Sequence, residues 1–254
     1  MSPTNRAIPT TGLLLLTVTI SGCEPAPATP GDSTRVLVFS RTEGYRHASI
    51  EPGIEAIRAI GEEAGFRVDA TEDPSAFDAD RLARYGAVVF LSTSGDVLDP
   101  AGEQALTGYI RSGGGFVGIH AASDTEYDWA WYGRLVGGYF ASHPSDPGVR
   151  EAVLHVVDAD HPSTVGLPDP WVREDEWYDF DARQPGLTVL LDIDESSYKR
   201  PDEDPAPVPR PIAWYHAFEG GRAWYTALGH TSKSFSEPAF LEHLRGGLLY
   251  ALGR

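Results

Sequence analysis

Residues 113–124 read GGGFVGIHAASD, and this stretch decides the fold. The apolar run 116–119 predicts a buried strand that leads directly into His120, with small residues on both sides of the histidine. A strand that ends in a sharp turn among small residues has the layout of a nucleophile elbow, which presents one side chain at the end of the strand. We therefore expect His120 to lie at the carboxyl edge of a sheet.

The half of the chain around this stretch alternates between apolar runs and helical patterns. These patterns predict strands over 35–40, 66–70 and 87–91 and helices over 49–64 and 99–110. No hairpin turn joins the strands, which favours a parallel sheet with helices on both faces. Ligands of such sheets bind outside the carboxyl ends of the strands, so the loops there are candidate site loops. They are 41–47, 92–96 and 120–128.

From about residue 150 the pattern changes. Further strands are predicted over 153–157, 188–191, 211–218 and 222–228, with a closing helix over 237–252. The pair Gly220-Gly221 is a hairpin signal between the last two strands. We interpret residues 35–252 as one α/β domain with an elaborated C-terminal half.

The charge of the chain argues against nucleic acid as a partner. The 254 residues include 20 Lys plus Arg and 37 Asp plus Glu, which gives a net charge of −17. Such a chain repels phosphates, and no basic stripe offsets the repulsion.

The N-terminal residues 1–22 have the pattern of a secretory signal peptide. The apolar run 13–20 is far shorter than the about 20 residues that span a bilayer. Residues 20–23 read ISGC and resemble a bacterial lipobox, in which the cysteine carries the lipid. The interpretation is a lipoprotein of the bacterial cell envelope, anchored to a membrane through Cys23 and a Pro-rich tether over 23–34, facing the periplasm or the exterior. Ordinary secretion with a free thiol is the alternative.

Two hydrolase mechanisms are excluded by residue type. In class I glutamine amidotransferases a cysteine occupies the elbow position where this chain has His120, and the only cysteine is Cys23. No G-x-S-x-G motif is present, which removes the common serine-hydrolase pattern.

Beyond the elbow, motifs in a set order resemble the trehalose-utilisation protein A (ThuA-like) family, a branch of the class I glutamine amidotransferase-like fold. They are RHAS at 46–49, GIH at 118–120, WY at 131–132, LVGGYF at 135–140, HP at 161–162, GLP at 166–168, DEWY at 175–178 and RAWYTALGH at 222–230. The resemblance covers about residues 35–252. It implies a flavodoxin-like, mostly parallel sheet with helices on both faces. It also implies disaccharide catabolism through 3-keto sugars beside a sugar oxidoreductase partner, although many members have no assigned reaction.

Histidines in the candidate loops suggest a metal site. His47 and His120 follow the first and fourth strands, whereas His143, Glu176 and His230 come from later loops. Imidazoles with one carboxylate are typical ligands of Zn²⁺ or a similar divalent ion. Such an ion would polarise a sugar carbonyl while Glu176 or a free histidine removes the adjacent proton. Alternatively, each of these histidines makes ordinary structural hydrogen bonds.

The acidic and aromatic segment 174–180 supplies further candidates. If it is extended, Glu174, Glu176 and Tyr178 lie on one face, so Glu176 and Tyr178 can join His120 as catalytic residues. A charged edge strand is the alternative. The candidates for binding the sugar are Trp129, Trp131, Tyr132 and Asp124. The aromatic cluster among them has core packing as its alternative.

Two main hypotheses follow. One is an enzyme that isomerises, cleaves or eliminates a 3-keto-disaccharide or related glycoside with metal and acid–base assistance. The other is a non-catalytic carbohydrate-binding or accessory lipoprotein on the same fold. A purely structural lipoprotein is disfavoured, because the sequence shows no amphipathic stripe or charge block for a partner.

Overall fold

The structure is a computed structural model that describes Met1 and residues 34–181, 183–200 and 209–254. The predicted signal peptide, Cys23 and nearly all of the tether lie outside the described residues. In the described part, no helix has the length and apolar character needed to cross a membrane.

Eleven strands form the sheets of the described chain. They are β1 Arg35–Phe39, β2 Arg67–Thr71, β3 Ala87–Leu91, β4 Gly115–Ile119, β5 Phe140–Ser142, β6 Val149–Val156, β7 Trp171–Glu176, β8 Asp179–Phe180, β9 Thr188–Asp194, β10 Arg210–Phe218 and β11 Gly221–Thr226. Nine of them make one sheet in the order β2-β1-β3-β4-β11-β10-β9-β6-β7, and β5 pairs with β8 separately. The pairings from β2 to β11 are parallel. The remaining pairings, from β11 to β7, are antiparallel.

Five α-helices accompany the strands. They are α1 Ile50–Ala64, α2 Ala79–Leu82, α3 Pro100–Arg111, α4 Ala130–Val136 and α5 Pro238–Ala251. α1 packs against α5 and α2 against α3, and both pairs contribute to the hydrophobic core. Every residue of β3 and β4 is buried, as expected for central strands covered on both faces. The side chain of Asp99 caps α3, and Gly65 ends α1 in the left-handed conformation.

The antiparallel half of the sheet bends so that β7, its last strand, reaches the segment that follows β11. β7 is an edge strand by pairing, yet its inward side chains contact the segment between β11 and α5. Trp171 donates a hydrogen bond to Glu237, and Arg173 donates one to Ser234, each at 2.8 Å. The carboxyl end of β7 therefore lies beside the carboxyl end of β11.

The predicted fold class is confirmed: the molecule is an α/β protein with a parallel central sheet, helices and an elaborated C-terminal half. The elaborated half is an antiparallel extension, and the hairpin at Gly220-Gly221 joins β10 to β11. The extended alternation expected over 174–180 is interrupted. Glu174 is exposed, whereas both Asp175 and Glu176 are buried, because β7 ends at Glu176 and the chain turns there.

Candidate metal and acid–base site

Four side chains converge at the carboxyl edge of the parallel strands. His47 follows β1, His120 follows β4, His230 follows β11 and Glu176 ends β7. One ligand atom from each lies within 4.8 Å of all the others. The bend of the antiparallel half brings Glu176 to this edge. We call these four residues the His/Glu cluster.

His120 is held in a strained turn with one ring nitrogen already engaged. Its φ of 51° is uncommon for a residue other than glycine, and its side chain is fully buried. The hydroxyl of Tyr225 donates to the carbonyl oxygen of His120 at 2.9 Å and supports the turn. Nδ1 lies 2.7 Å from the carbonyl oxygen of Ala227, so Nδ1 carries the proton and Nε2 presents a lone pair to the cluster.

A buried carboxylate positions two cluster members. Asp175 Oδ1 accepts hydrogen bonds from the backbone N–H groups of Glu176 and His230, each at 3.0 Å. Its Oδ2 accepts from the backbone of Gly229 and from Arg173, each at 2.9 Å. Asp175 thereby joins the end of β7 to the loop after β11. Asp175 belongs to the DEWY motif at 175–178, but its role could not be predicted from it, since the pairing of the two loops is not visible in one sequence.

Four of the six separations between the ligand atoms are close to those around a tetrahedral ion. His120 Nε2 lies 3.1 Å from His47 Nε2 and 3.2 Å from His230 Nδ1. Glu176 Oε2 lies 3.0 Å from His230 Nδ1 and 3.5 Å from His120 Nε2. Bonds of about 2.0 Å in a tetrahedron around zinc separate the ligand atoms by about 3.3 Å. The donor set of three imidazoles and one carboxylate suits Zn²⁺ or a similar divalent ion.

The hydrogen-bond inventory also favours a cation. Three polar atoms lie within 3.2 Å of His120 Nε2, namely His47 Nε2, His230 Nδ1 and the hydroxyl oxygen of Tyr178 at 3.0 Å. A neutral imidazole nitrogen has one lone pair and cannot accept from all three as full hydrogen bonds. A cation bound between the histidines accounts for these short distances, because the lone pairs of several ring nitrogens can then all point at the ion.

The electrostatics favour a neutral His47 and an ionised Glu176, whereas the burial of His230 is outweighed by its contacts with Glu176, so that the pKa of His230 is raised. Burial, assisted by the charges of His120 and His230, lowers the pKa of His47 to about 3, so His47 is neutral. Burial raises the pKa of Glu176, but its contacts with His120 and His230 outweigh burial and hold the pKa well below the usual range. Burial raises the pKa of Tyr178 well above its usual value, so its hydroxyl keeps its proton.

His143 lies beside the cluster, not in it. The sequence predicts both His143 and Glu176 as ligands, but the group of four contains Glu176 and not His143. His143 Nδ1 lies 2.8 Å from the carbonyl oxygen of Pro144 and 3.4 Å from Glu176 Oε1, and the side chain is 34% exposed. Its contact with the outer oxygen of Glu176 makes it a candidate for proton transfer to solvent.

Two of the expected sugar-binding aromatics point elsewhere. Tyr132 is fully buried and donates a hydrogen bond to the carbonyl oxygen of Ala122. Trp131 donates to Glu219, in the turn between β10 and β11 at the opposite edge of the sheet. Both are core residues of α4, a helix that is not among those predicted from the sequence.

The other two expected sugar-binding residues are half-buried. Trp129 stacks on Trp131, with ring centroids 5.0 Å apart. Asp124 accepts a hydrogen bond of 2.8 Å from the hydroxyl of Tyr127, in the loop that follows the His120 turn. Of these four residues, Asp124 contacts Tyr127, an exposed residue at the carboxyl edge of the sheet.

Comparison with solved structures shows the same fold in other proteins. A protein described as ThuA-like from Bacteroides uniformis has a TM-score of 0.67 and 22% identity, over 88% of this chain and 93% of that one. A second from Parabacteroides merdae has a TM-score of 0.68 and 22% identity, over 86% and 90% of the two chains. A β-galactosidase from Bacillus circulans matches with a TM-score of 0.53 and 14% identity, over 87% of this chain and 31% of that chain.

Sequence comparison assigns the family. A search of curated proteins finds no significant match. The model of the family described as ThuA, trehalose utilisation, matches residues 35–251. This span contains all four residues of the His/Glu cluster together with Tyr178 and Asp175. The chain therefore belongs to the ThuA family, a family of carbohydrate utilisation.

Proposed function

We propose that this protein is an enzyme that holds a divalent cation at the His/Glu cluster and acts on a 3-keto-disaccharide or related glycoside, by isomerisation or elimination. The observation that carries the proposal is the meeting of His47, His120, His230 and Glu176 at one buried point, with the hydroxyl of Tyr178 at 3.0 Å from His120. The family's carbohydrate role supplies the substrate class.

The difficulty in this chemistry is the weak acidity of a C–H bond next to a carbonyl group. A cation held by the four cluster residues would supply Lewis-acid polarisation if it accepted the carbonyl oxygen as a further ligand. Glu176 is ionised, and its Oε1 faces His143 at 3.4 Å, away from the contacts of Oε2. In the proposed elimination, Glu176 takes the proton from the carbon beside the carbonyl. The C–H electron pair becomes the new double bond as the glycosidic C–O bond breaks.

The remaining protons are assigned to two neighbours of Glu176. Tyr178 stays protonated and donates a hydrogen bond to the oxygen on which negative charge develops. His143 is the partly exposed group that returns a proton to the departing sugar oxygen, and it re-equilibrates with solvent. In an isomerisation Glu176 instead delivers the proton it has taken to the former carbonyl carbon, and the hydroxyl proton of the adjacent carbon moves to the former carbonyl oxygen.

The strained backbone of His120 favours catalysis over simple sugar binding. A positive φ at a residue other than glycine persists only where the surrounding structure enforces it, and such residues concentrate at functional sites. A binding module has no need of a buried imidazole cluster. The non-catalytic carbohydrate-binding lipoprotein therefore remains the second hypothesis.

The cellular setting is also part of the proposal. Cys23 anchors the protein to a membrane of the bacterial envelope, and a sugar oxidoreductase in the same pathway supplies the 3-keto sugar. The lipobox-like sequence ISGC at 20–23 supports the anchor, and the family resemblance supports the partner.

Turnover of 3-keto-trehalose by the zinc-loaded protein tests the role of Glu176. We expect Glu176→Gln to lower kcat by at least about 100-fold, the usual contribution of a general base. Glu174→Gln is the matched control because Glu174 is an exposed residue of the same strand, and it should react at the wild-type rate. Unchanged turnover by Glu176→Gln would remove this carboxylate from the mechanism.

A further inference from the structure

Two tyrosines stand out on the surface of the carboxyl edge. Among the described residues, Tyr45 and Tyr127 are the large aromatic side chains that are exposed, at 66% and 46%. Both belong to loops that border the His/Glu cluster, since Tyr45 follows β1 and Tyr127 follows the turn after β4. Exposed aromatic rings beside a site of converging polar groups are candidates for ligand contact.

Tyr45 is presented by a loop that is held in place. The hydroxyl of Ser94 donates to the carbonyl oxygen of Tyr45 at 2.8 Å, and the N–H of Glu43 donates to the carbonyl oxygen of Ser94 at 2.8 Å. The adjacent Arg46 pairs with both Glu51 and Glu72 at 2.7 Å. The Tyr45 ring contacts the ring of His47 edge-on, with centroids 4.8 Å apart. An exposed ring therefore adjoins a member of the cluster.

Tyr127 is restrained through its side chain. Its ring stacks on Tyr139 with centroids 5.0 Å apart, and its hydroxyl oxygen lies 2.8 Å from both Asp124 Oδ1 and the carbonyl oxygen of Phe140. The Phe140 ring in turn lies 4.3 Å from that of Tyr178. One face of Tyr127 is covered, so only the other face is available to a ligand.

The two loops are separated by a third. Bridges join Thr42 to Ser94 and Gly95 to Thr125, so the loop 92–96 lies between the tyrosine loops. Neighbouring strands lie about 4.8 Å apart, so the backbones of the two tyrosine loops, one on each side of the loop 92–96, are separated by roughly 10 Å. This separation suits a ligand with two apolar surfaces better than a single small ring.

We propose that Tyr45 and Tyr127 are stacking platforms for the two pyranose rings of a disaccharide whose linkage lies over the His/Glu cluster. The inference rests on the proposed function and adds the residues that select a disaccharide over a monosaccharide. The C–H face of each pyranose packs on a tyrosine face and buries apolar area from both partners. Because the Tyr127 ring and the backbone that carries Tyr45 are already held in place, binding costs less conformational entropy than it would on free loops.

Isothermal titration calorimetry with trehalose, maltose, cellobiose and glucose tests the platforms. We expect at least one disaccharide to bind the wild-type protein about five-fold or more tightly than glucose, since a second ring adds a second stacking contact. For that disaccharide, Tyr45→Ala and Tyr127→Ala should each raise Kd about ten-fold. Tyr45→Phe keeps the ring face and should bind within about two-fold of the wild type.

Two controls separate this inference from the proposed function. Val165→Ala removes an equally exposed apolar side chain from the loop between β6 and β7 and should bind as the wild type does. Zinc content and the effect of Glu176→Gln on turnover report on the cluster and do not depend on the tyrosines. Wild-type Kd values in both alanine variants, or no preference for any disaccharide over glucose, would overturn the platforms even if the cluster is confirmed.

Discussion

Nδ1 of His120 donates a hydrogen bond to the carbonyl oxygen of Ala227, three residues before His230. This contact sets the tautomer of His120 and turns Nε2 toward the other cluster residues. It also connects the turn after β4 to the loop after β11. A backbone carbonyl behind a histidine ligand is a common way to orient the ring and to increase its basicity.

Asp175→Asn should weaken the metal site without altering any ligand. Both carboxylate oxygens of Asp175 accept hydrogen bonds from N–H groups. In asparagine one of these oxygens becomes an NH2 group, which cannot accept and points at N–H groups that have lost their acceptor. We expect zinc affinity to fall about 10-fold to 100-fold and stability to fall by about 2–4 kcal/mol. Competition titration with a zinc chelator and urea unfolding measure the two effects. Asp160→Asn, at an exposed position, is the control. Wild-type zinc affinity in Asp175→Asn would show that the hydrogen bonds of Asp175 are not needed for metal binding.

Glu126 should make the protein less stable as the pH rises toward neutrality. Burial raises its pKa to about 7, and nearby Asp96 adds to the rise. The hydrogen bonds from the N–H groups of Leu98 and Val97 lower the pKa but do not outweigh burial. Between its unfolded pKa of about 4.3 and 7, the folded state holds a proton that the unfolded state has released, so stability is lost as the pH rises. Glu126→Gln lacks this titration.

The check is the difference in unfolding free energy between Glu126→Gln and the wild type. We expect the difference to shift in favour of the variant by about 2 kcal/mol between pH 5 and pH 8. Glu63→Gln, on the exposed side of α1, should leave the wild-type profile unchanged. Parallel profiles for Glu126→Gln and the wild type would contradict the buried, protonated carboxyl.

Two helical glycines should respond in opposite directions to alanine. A Cβ at Gly246 in α5 would overlap the backbone of Pro162 and Ser163, whereas one at Gly108 in α3 meets nothing within 4 Å. We expect Gly246→Ala to lower stability by about 2–4 kcal/mol through forced backbone movement. Gly108→Ala should raise stability by about 0.5–1 kcal/mol through helix propensity. Equal effects in thermal or urea unfolding would rule out close packing of α5 on this loop.

Local signals in the sequence were sufficient to predict the parallel half of the fold. β3 and β4 are continuous apolar runs because both of their faces are covered, and His120 follows β4 at the predicted elbow. The edge rule for parallel sheets then made His47 and His120 candidates, whereas His230 was a candidate from a later loop that resembles a family motif. These predictions succeed because the carboxyl ends of parallel strands all lie at the same edge of the sheet.

The contribution of β7 could not be predicted from one sequence. Its place beside β11 depends on the bend of the antiparallel half, which long-range contacts such as Trp171 with Glu237 maintain. For the same reason, the roles of Asp175 and His143 emerged only in three dimensions. Trp131 and Tyr132 were misleading because aromatic residues next to a turn pack into the core as readily as they bind ligands.

The central claim is the metal site, and elemental analysis of the purified protein tests it most directly. We expect about one zinc or similar ion per chain after reconstitution, as for a four-ligand site. His120→Ala and His230→Ala should lose the ion. His155→Ala, which removes a histidine on the surface of β6, should retain it. A wild-type protein that takes up neither zinc nor manganese, or cluster variants with wild-type metal content, would contradict the account.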